Sequence, residues 1–165
     1  MRKFELFILT MMMMTACSGT QNGDNPFFAE YDTPFGVPPF AQIQNEHFIP
    51  AFEEGIRLQE EEIAAITASE EAPSFENTIA ALDYSGGLLN KVSSVFYNFN
   101  SSNTSDEIQQ IAQEVAPMLS AHSDNISLNA DLFERVAAVY EQREAHGLNE
   151  EEAMLLKNTY ESICR

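Results

Sequence analysis

A chain of 165 residues with 26 acidic and only 8 basic side chains, formal charge -18, lacks the basic footprint that nucleic acid or anionic lipid requires. Its hydrophobic content of 44%, set at helical spacing, also excludes a disordered acidic chain. The length suits one domain that buries most of its apolar surface.

At the N-terminus, Arg2 and Lys3 precede the apolar run Leu6 to Met14, and Thr15-Ala16 leads to Cys17. A basic start, a short apolar core and small residues before a cut mark residues 1–16 as a secretory signal, too short for a membrane helix. Cysteine directly after Met14-Thr15-Ala16 resembles a bacterial lipobox, which implies that Cys17 is lipidated and anchors the exported chain to the cell envelope. An ordinary secretory signal that happens to contain a cysteine is the alternative. Residues 17–26 then form a polar, glycine-containing tether. Cys164, the other cysteine, follows Ile163 on an apolar face and is expected to be a small buried hydrophobe.

Residues 27–47 are rich in proline and aromatic residues (Phe27-Phe28, Pro34-Phe35, Pro38-Pro39-Phe40), which predicts an extended arm laid across helices. A peptide-like ligand for another domain is the sharper alternative. From residue 48 to 165 the pattern is helical. The first helix carries Phe48, Phe52, Ile56, Ile63 and Ile66 on its buried side, with Glu53 four residues before Arg57 as a favourable ion pair. Glu60, Glu61 and Glu62 fan out by about 100° each on a helix, so they cannot converge on one cation and form a solvated face. Ser74 is the expected N-cap of one long helix to Asn100, with Phe75, Ile79, Leu82, Leu89, Val92, Phe96 and Phe99 on one stripe. Gly86 and Gly87 interrupt that helix and permit close backbone approach.

Ser101-Ser102-Asn103 reads as a polar turn, and Thr104 with Glu107 has the spacing of a capping box. Ile108, Ile111, Val115, Leu119 and Ile126 form the next stripe, bent at Pro117, with His122 on the same face as a hydrogen-bonded interface residue. Asn129 caps a helix carrying Leu132, Phe133, Val136, Val139 and Tyr140 and closed by Gly147. Asn149 and Glu152 open the last helix, with Leu156, Tyr160 and Ile163 inward. The fold class is all-α, an array of about five antiparallel helices, and the default state is a monomer.

No catalytic or metal-binding residues emerge. None of His47, His122 and His146 heads a His-Glu-x-x-His pattern, and there is no Gly-x-Ser-x-Gly elbow, phosphate-binding loop or Cys-x-x-Cys. Three stretches together are nevertheless distinctive: Pro38-Pro39-Phe40 leading to Glu46-His47-Phe48-Ile49-Pro50-Ala51-Phe52; Pro73-Ser74-Phe75-Glu76-Asn77-Thr78-Ile79; and Ser85-Gly86 through Val92 to Phe96. They resemble the N-terminal helical region of the thimet oligopeptidase family of zinc metallopeptidases, in its peptidyl-dipeptidase and oligopeptidase A branch. The resemblance implies an N-terminal fragment of a larger helical clamshell. In that whole enzyme, zinc and its His-Glu-x-x-His helix lie elsewhere, short peptides are the substrates, and these helices form the channel wall. The 165 residues alone are then expected to be inactive. A non-enzymatic acidic helical lipoprotein that binds peptides or a partner protein is the competing account. It would need a closed surface, whereas the last helix is expected to leave its apolar side uncovered.

Overall fold

The computed structural model describes residues 25–164, and among them the structure is all-α with no strand. Cys17 and the signal and most of the tether lie outside the described residues. The elements are α1 (Phe48–Thr67), a π-helical stretch Phe75–Ala80 that runs directly into α2 (Ala81–Tyr84), α3 (Gly87–Ser102), α4 (Asp106–Ser127), α5 (Ala130–Glu141) and α6 (Glu150–Ile163). Short 3-10 turns at Pro26–Phe28, Pro34–Gly36 and Asn45–His47 break up the N-terminal arm.

The single helix expected from Ser74 to Asn100 is two. Ser85 is extended and Gly86 takes the left-handed conformation (φ +73), so the chain turns before α3 begins at Gly87. Ser74 caps as expected: its hydroxyl accepts from the Asn77 amide, and the Asn77 side-chain oxygen accepts from the Ser74 amide. The break divides the stripe between two hydrophobic cores. Phe75 and Ile79 join Ile63, Ile66, Leu132, Val136, Val139 and Leu156, whereas Leu89, Val92 and Phe96 join Phe27, Phe48, Phe52, Ile108 and Val115.

The α1 helix belongs to both cores, through Phe48 and Phe52 at its start and Ile63 and Ile66 at its end. It packs chiefly on α3, while α5 packs chiefly on α6. In the first core the Phe96 ring meets Phe48 (centroids 5.0 Å apart) and Phe52 (5.4 Å) edge to face. Such pairs add about 0.5–1.5 kcal/mol each beyond the burial of their surface. The close backbone approach occurs at Gly55, not at the glycine pair. A methyl group on Gly55 would lie 2.9 Å from the Leu89 Cα.

Local chemistry explains the other departures. Ser105 rather than Thr104 caps α4, its hydroxyl accepting from the Ile108 amide, and Glu107 turns instead to the Asn45 side-chain amide (2.6 Å). The residues expected in the preceding polar turn, Ser101 and Ser102, extend α3, and their hydroxyls donate to the Asn98 carbonyl. Arg57 pairs with Glu54 (2.7 Å) and Glu61 (2.5 Å) rather than Glu53. Pro117 sits within α4. Asn129 and the Asn149–Glu152 capping box open α5 and α6 as expected. However, α5 ends at Glu141, and Gly147 (φ +63) closes the turns that follow it. Cys164 is not the buried hydrophobe expected: it is exposed, one residue beyond the end of α6. Asn25, expected in the tether, is buried; its side chain accepts from the Phe27 amide and donates to the His47 carbonyl.

The glycines therefore have distinct roles that alanine separates. Gly55→Ala should cost about 1–3 kcal/mol by wedging α1 from α3, and Gly86→Ala about 1–2 kcal/mol through its left-handed backbone. Gly87→Ala should be neutral or stabilising by up to about 1 kcal/mol. Urea denaturation midpoints of the three variants check this order.

Candidate functional site

Gly55, Gln59 and Glu62 lie four and three residues apart and so share the face of α1 that meets α3. Past the Gly55 contact that face turns polar, at the seam between the two cores. The Gln59 side-chain nitrogen donates to the Ser85 hydroxyl (3.1 Å), which in turn donates to the Leu82 carbonyl (2.7 Å). The Gln59 oxygen is thereby left to accept from His122 Nε2 at 2.8 Å. Nε2 thus carries a proton, and the buried Nδ1 has no hydrogen bond among the described residues, with the Glu60 carboxylate 3.8 Å away. Glu62 accepts from the Gly86 amide at 2.7 Å and so caps α3 from a neighbouring helix. The interface histidine expected from the sequence is confirmed. The acidic triplet is exposed, as expected of a solvated face; Glu61 also binds Arg57 and Glu62 the Gly86 amide.

A second polar node secures the loop before Asn77. Arg135, buried on α5, donates to the Ser69 and Glu71 carbonyls (2.9 and 3.2 Å) and to the Asn77 side-chain oxygen (3.1 Å). Asn77 thus links three elements, which gives the Phe75-Glu76-Asn77-Thr78-Ile79 segment a structural reason for its residue types. A third node holds the arm. The Lys91 ammonium donates to the Phe27 and Ala29 carbonyls (3.0 and 2.6 Å) and lies 3.9 Å from the centre of the Tyr31 ring. Burial lowers the Lys91 pKa, against the pull of Glu30, and burial raises that of the Tyr31 phenol. Beside this clamp the arm, α1 and the start of α3 enclose a groove of about 550 Å³ lined by Phe28, Glu30, Glu54, Leu58, Gly87 and Leu88.

The three histidines stay apart. The His47 Nδ1 accepts from the Gln44 amide, His122 sits in the seam, and His146 lies in the turns after α5. Among the described residues no three His, Cys, Asp or Glu side chains gather as a metal set, so these residues do not fit a zinc site. Sequence reasoning missed Lys91 and Gln59. Lys91 is a lone lysine on an apolar helix, and only its scarcity in so acidic a chain marks it. Apolar surface remains at the edges of the second core, where Leu128, Phe133 and Met154 are exposed, and on the arm, where Phe35 is fully exposed at φ +62.

The seam can be tested directly. Gln59→Leu should strand the His122 and Ser85 partners and cost about 1–3 kcal/mol, whereas combining it with His122→Phe should recover part of that loss. Denaturant unfolding of the single and double variants measures both.

No protein-family model matches the chain. Curated relatives do. Dipeptidyl carboxypeptidase of Escherichia coli K12 is 41% identical over 133 residues, 81% of this chain and 20% of the relative. The Salmonella typhimurium dipeptidyl carboxypeptidase is 41% identical over 132 residues, and oligopeptidase A of E. coli is 27% identical over 101 residues, 61% of this chain. The chain spans about a fifth of the length of the dipeptidyl carboxypeptidases it matches, and less of oligopeptidase A. By sequence, then, the chain is similar over most of its length to a minor part of the dipeptidyl carboxypeptidases, and over a shorter stretch to a minor part of oligopeptidase A.

Proposed function

We propose that the chain is the N-terminal, channel-wall region of an exported, lipid-anchored zinc peptidase that releases dipeptides from short peptides. The observation that carries this reading is the 41% identity to dipeptidyl carboxypeptidase across 81% of the chain. On this reading the metal ligands and the water-activating carboxylate come from outside the 165 residues, and the whole enzyme carries the zinc. The part these helices play is to present a rigid wall. Two cores, the first rich in phenylalanine and the second in isoleucine and valine, set the positions of the helices, and the Gly86 break sets the direction of α3. Lipid on Cys17 would hold the enzyme at the periplasmic face or outer surface of the envelope.

The second reading, a non-enzymatic acidic helical lipoprotein that binds peptides or a partner, would require a closed surface, whereas Leu128, Phe133 and Met154 are exposed.

The purified 165-residue chain, supplied with zinc and an N-blocked tetrapeptide, should release no dipeptide; chelator-sensitive release would overturn the assignment of chemistry elsewhere. Reading the gene past the Arg165 codon separates the two accounts, since an open frame encoding His-Glu-x-x-His supports the peptidase and a stop followed by an unrelated gene supports the binding protein. For the anchor, palmitate labelling in a bacterial host should mark the wild-type chain and vanish in Cys17→Ser, with the variant leaving the membrane fraction.

A further inference from the structure

We infer that the arm loop of residues 33–40 is a membrane-docking element, which inserts Phe35 and Val37 into the interface of a neutral phospholipid bilayer. The inference rests on the proposed lipid anchor at Cys17 for bringing a bilayer within reach; the loop's own chemistry supplies the rest.

The first observation is a side chain that the fold does not use. The Phe35 ring is 103% exposed, and its backbone takes the left-handed conformation (φ +62), which costs a phenylalanine more than a glycine. Val37 and Phe40, on the same loop, are 48% and 44% exposed. The second observation is that the loop's backbone is already equipped to leave water. Pro34, Pro38 and Pro39 have no N–H to satisfy. The amides of Gly36, Val37, Phe40 and Gln42 donate to the carbonyls of Thr33, Pro34, Pro38 and Pro39, and the Thr33 hydroxyl donates to the Val37 carbonyl. Unpaired backbone amides are what make an irregular loop costly to place among lipids. Here most of them are paired or missing.

The third observation is position. The Asn25 side chain donates to the His47 carbonyl, and Lys91 holds the Phe27 and Ala29 carbonyls, so the root of the arm is fixed on the first core. Asn25 lies eight residues after Cys17, a span of at most about 28 Å. A domain of this size is roughly 35–40 Å across. An anchor that short keeps the arm's end of the domain toward the bilayer, and Phe35 follows Asn25 by only ten residues. Charge then selects the surface. The loop carries no basic residue, and Glu30 and Asp32 precede it in a chain of formal charge -18, so neutral phospholipid suits it and anionic lipid repels it.

Because the chain contains no tryptophan, Phe35→Trp supplies a single indole. The test couples the exported form, residues 17–165 with Cys164→Ser, through its Cys17 thiol to a maleimide phospholipid in phosphatidylcholine vesicles. With Phe35→Trp the emission should shift to the blue and be quenched by brominated acyl chains. Leu128→Trp, at a position 83% exposed beside the second core, should show neither effect. Adding Val37→Asp to Phe35→Trp should lower the docked-to-free ratio about tenfold or more, and phosphatidylglycerol in the vesicles should lower it as well. Phe35→Gly should melt no lower than the wild type; a marked fall would show the ring serving the fold and overturn the proposal. An unquenched indole at position 35, equal quenching at position 128, or stronger docking on phosphatidylglycerol would each overturn it too. So would a blue shift without vesicles that grows with protein concentration, which assigns the loop to a second copy of the chain. The chemical coupling supplies the anchor by itself, so failure of the natural lipidation shows only in the palmitate labelling of Cys17.

Discussion

The contact that organises the molecule is that of Gly55 against the backbone of Leu89. With no side chain on one partner, α1 and α3 approach until a single extra carbon would not fit. That spacing lets Phe48 and Phe52 reach Phe96 edge to face. One turn further along, the same spacing places Gln59 beneath the Ser85–Gly86 break. A larger residue at 55 would loosen the aromatic cluster and the polar seam together, because both hang from the same pair of helices.

Between the two cores the structure places hydrogen-bonding groups rather than a third apolar layer. Gln59 joins Ser85 to His122 Nε2, Ser85 donates to the Leu82 carbonyl, and Glu62 accepts from the free amide at the start of α3, while His122 Nδ1 is left without a partner among the described residues. Such a network adds little net stability when complete but is costly when any member is lost. It also fixes register: α1 cannot slide by a turn along α3 without stranding all four groups. The buried Arg135 acts in the same way at the far end, tying the 68–74 connection and Asn77 to α5 with carbonyl and amide oxygens as partners.

Much of this is legible in the sequence, and its limits have physical causes. Apolar periodicity located the helical segments and most of the core, and the caps at Ser74, Asn129 and Asn149 followed from side-chain chemistry alone. The break at Gly86 was missed because the sevenfold series of Phe75, Leu82, Leu89 and Phe96 continues through it in number while changing core in space. Periodicity reports spacing along the chain and carries no record of a turn. The Arg57 partner and the α4 cap were misplaced for a related reason: several acceptors within one helical turn compete, and local geometry chooses among them. The likeness to a peptidase family was also legible, through short segments such as Pro73 to Ile79. The groove beside Gly87 was not, since it is formed by residues from three separate segments, and only folding brings them together.

The chain contains no tryptophan, so its near-ultraviolet signal comes chiefly from five tyrosines. Two of them, Tyr140 and Tyr160, lie with ring planes 1° from parallel and centroids 4.0 Å apart, across the α5–α6 pair. The first core holds phenylalanine rings instead, with weaker and differently placed absorption. The protein therefore carries a built-in optical label for one of its halves: an exciton-coupled tyrosine band in circular dichroism reports the second core alone, and would show whether the two melt as one unit or in sequence.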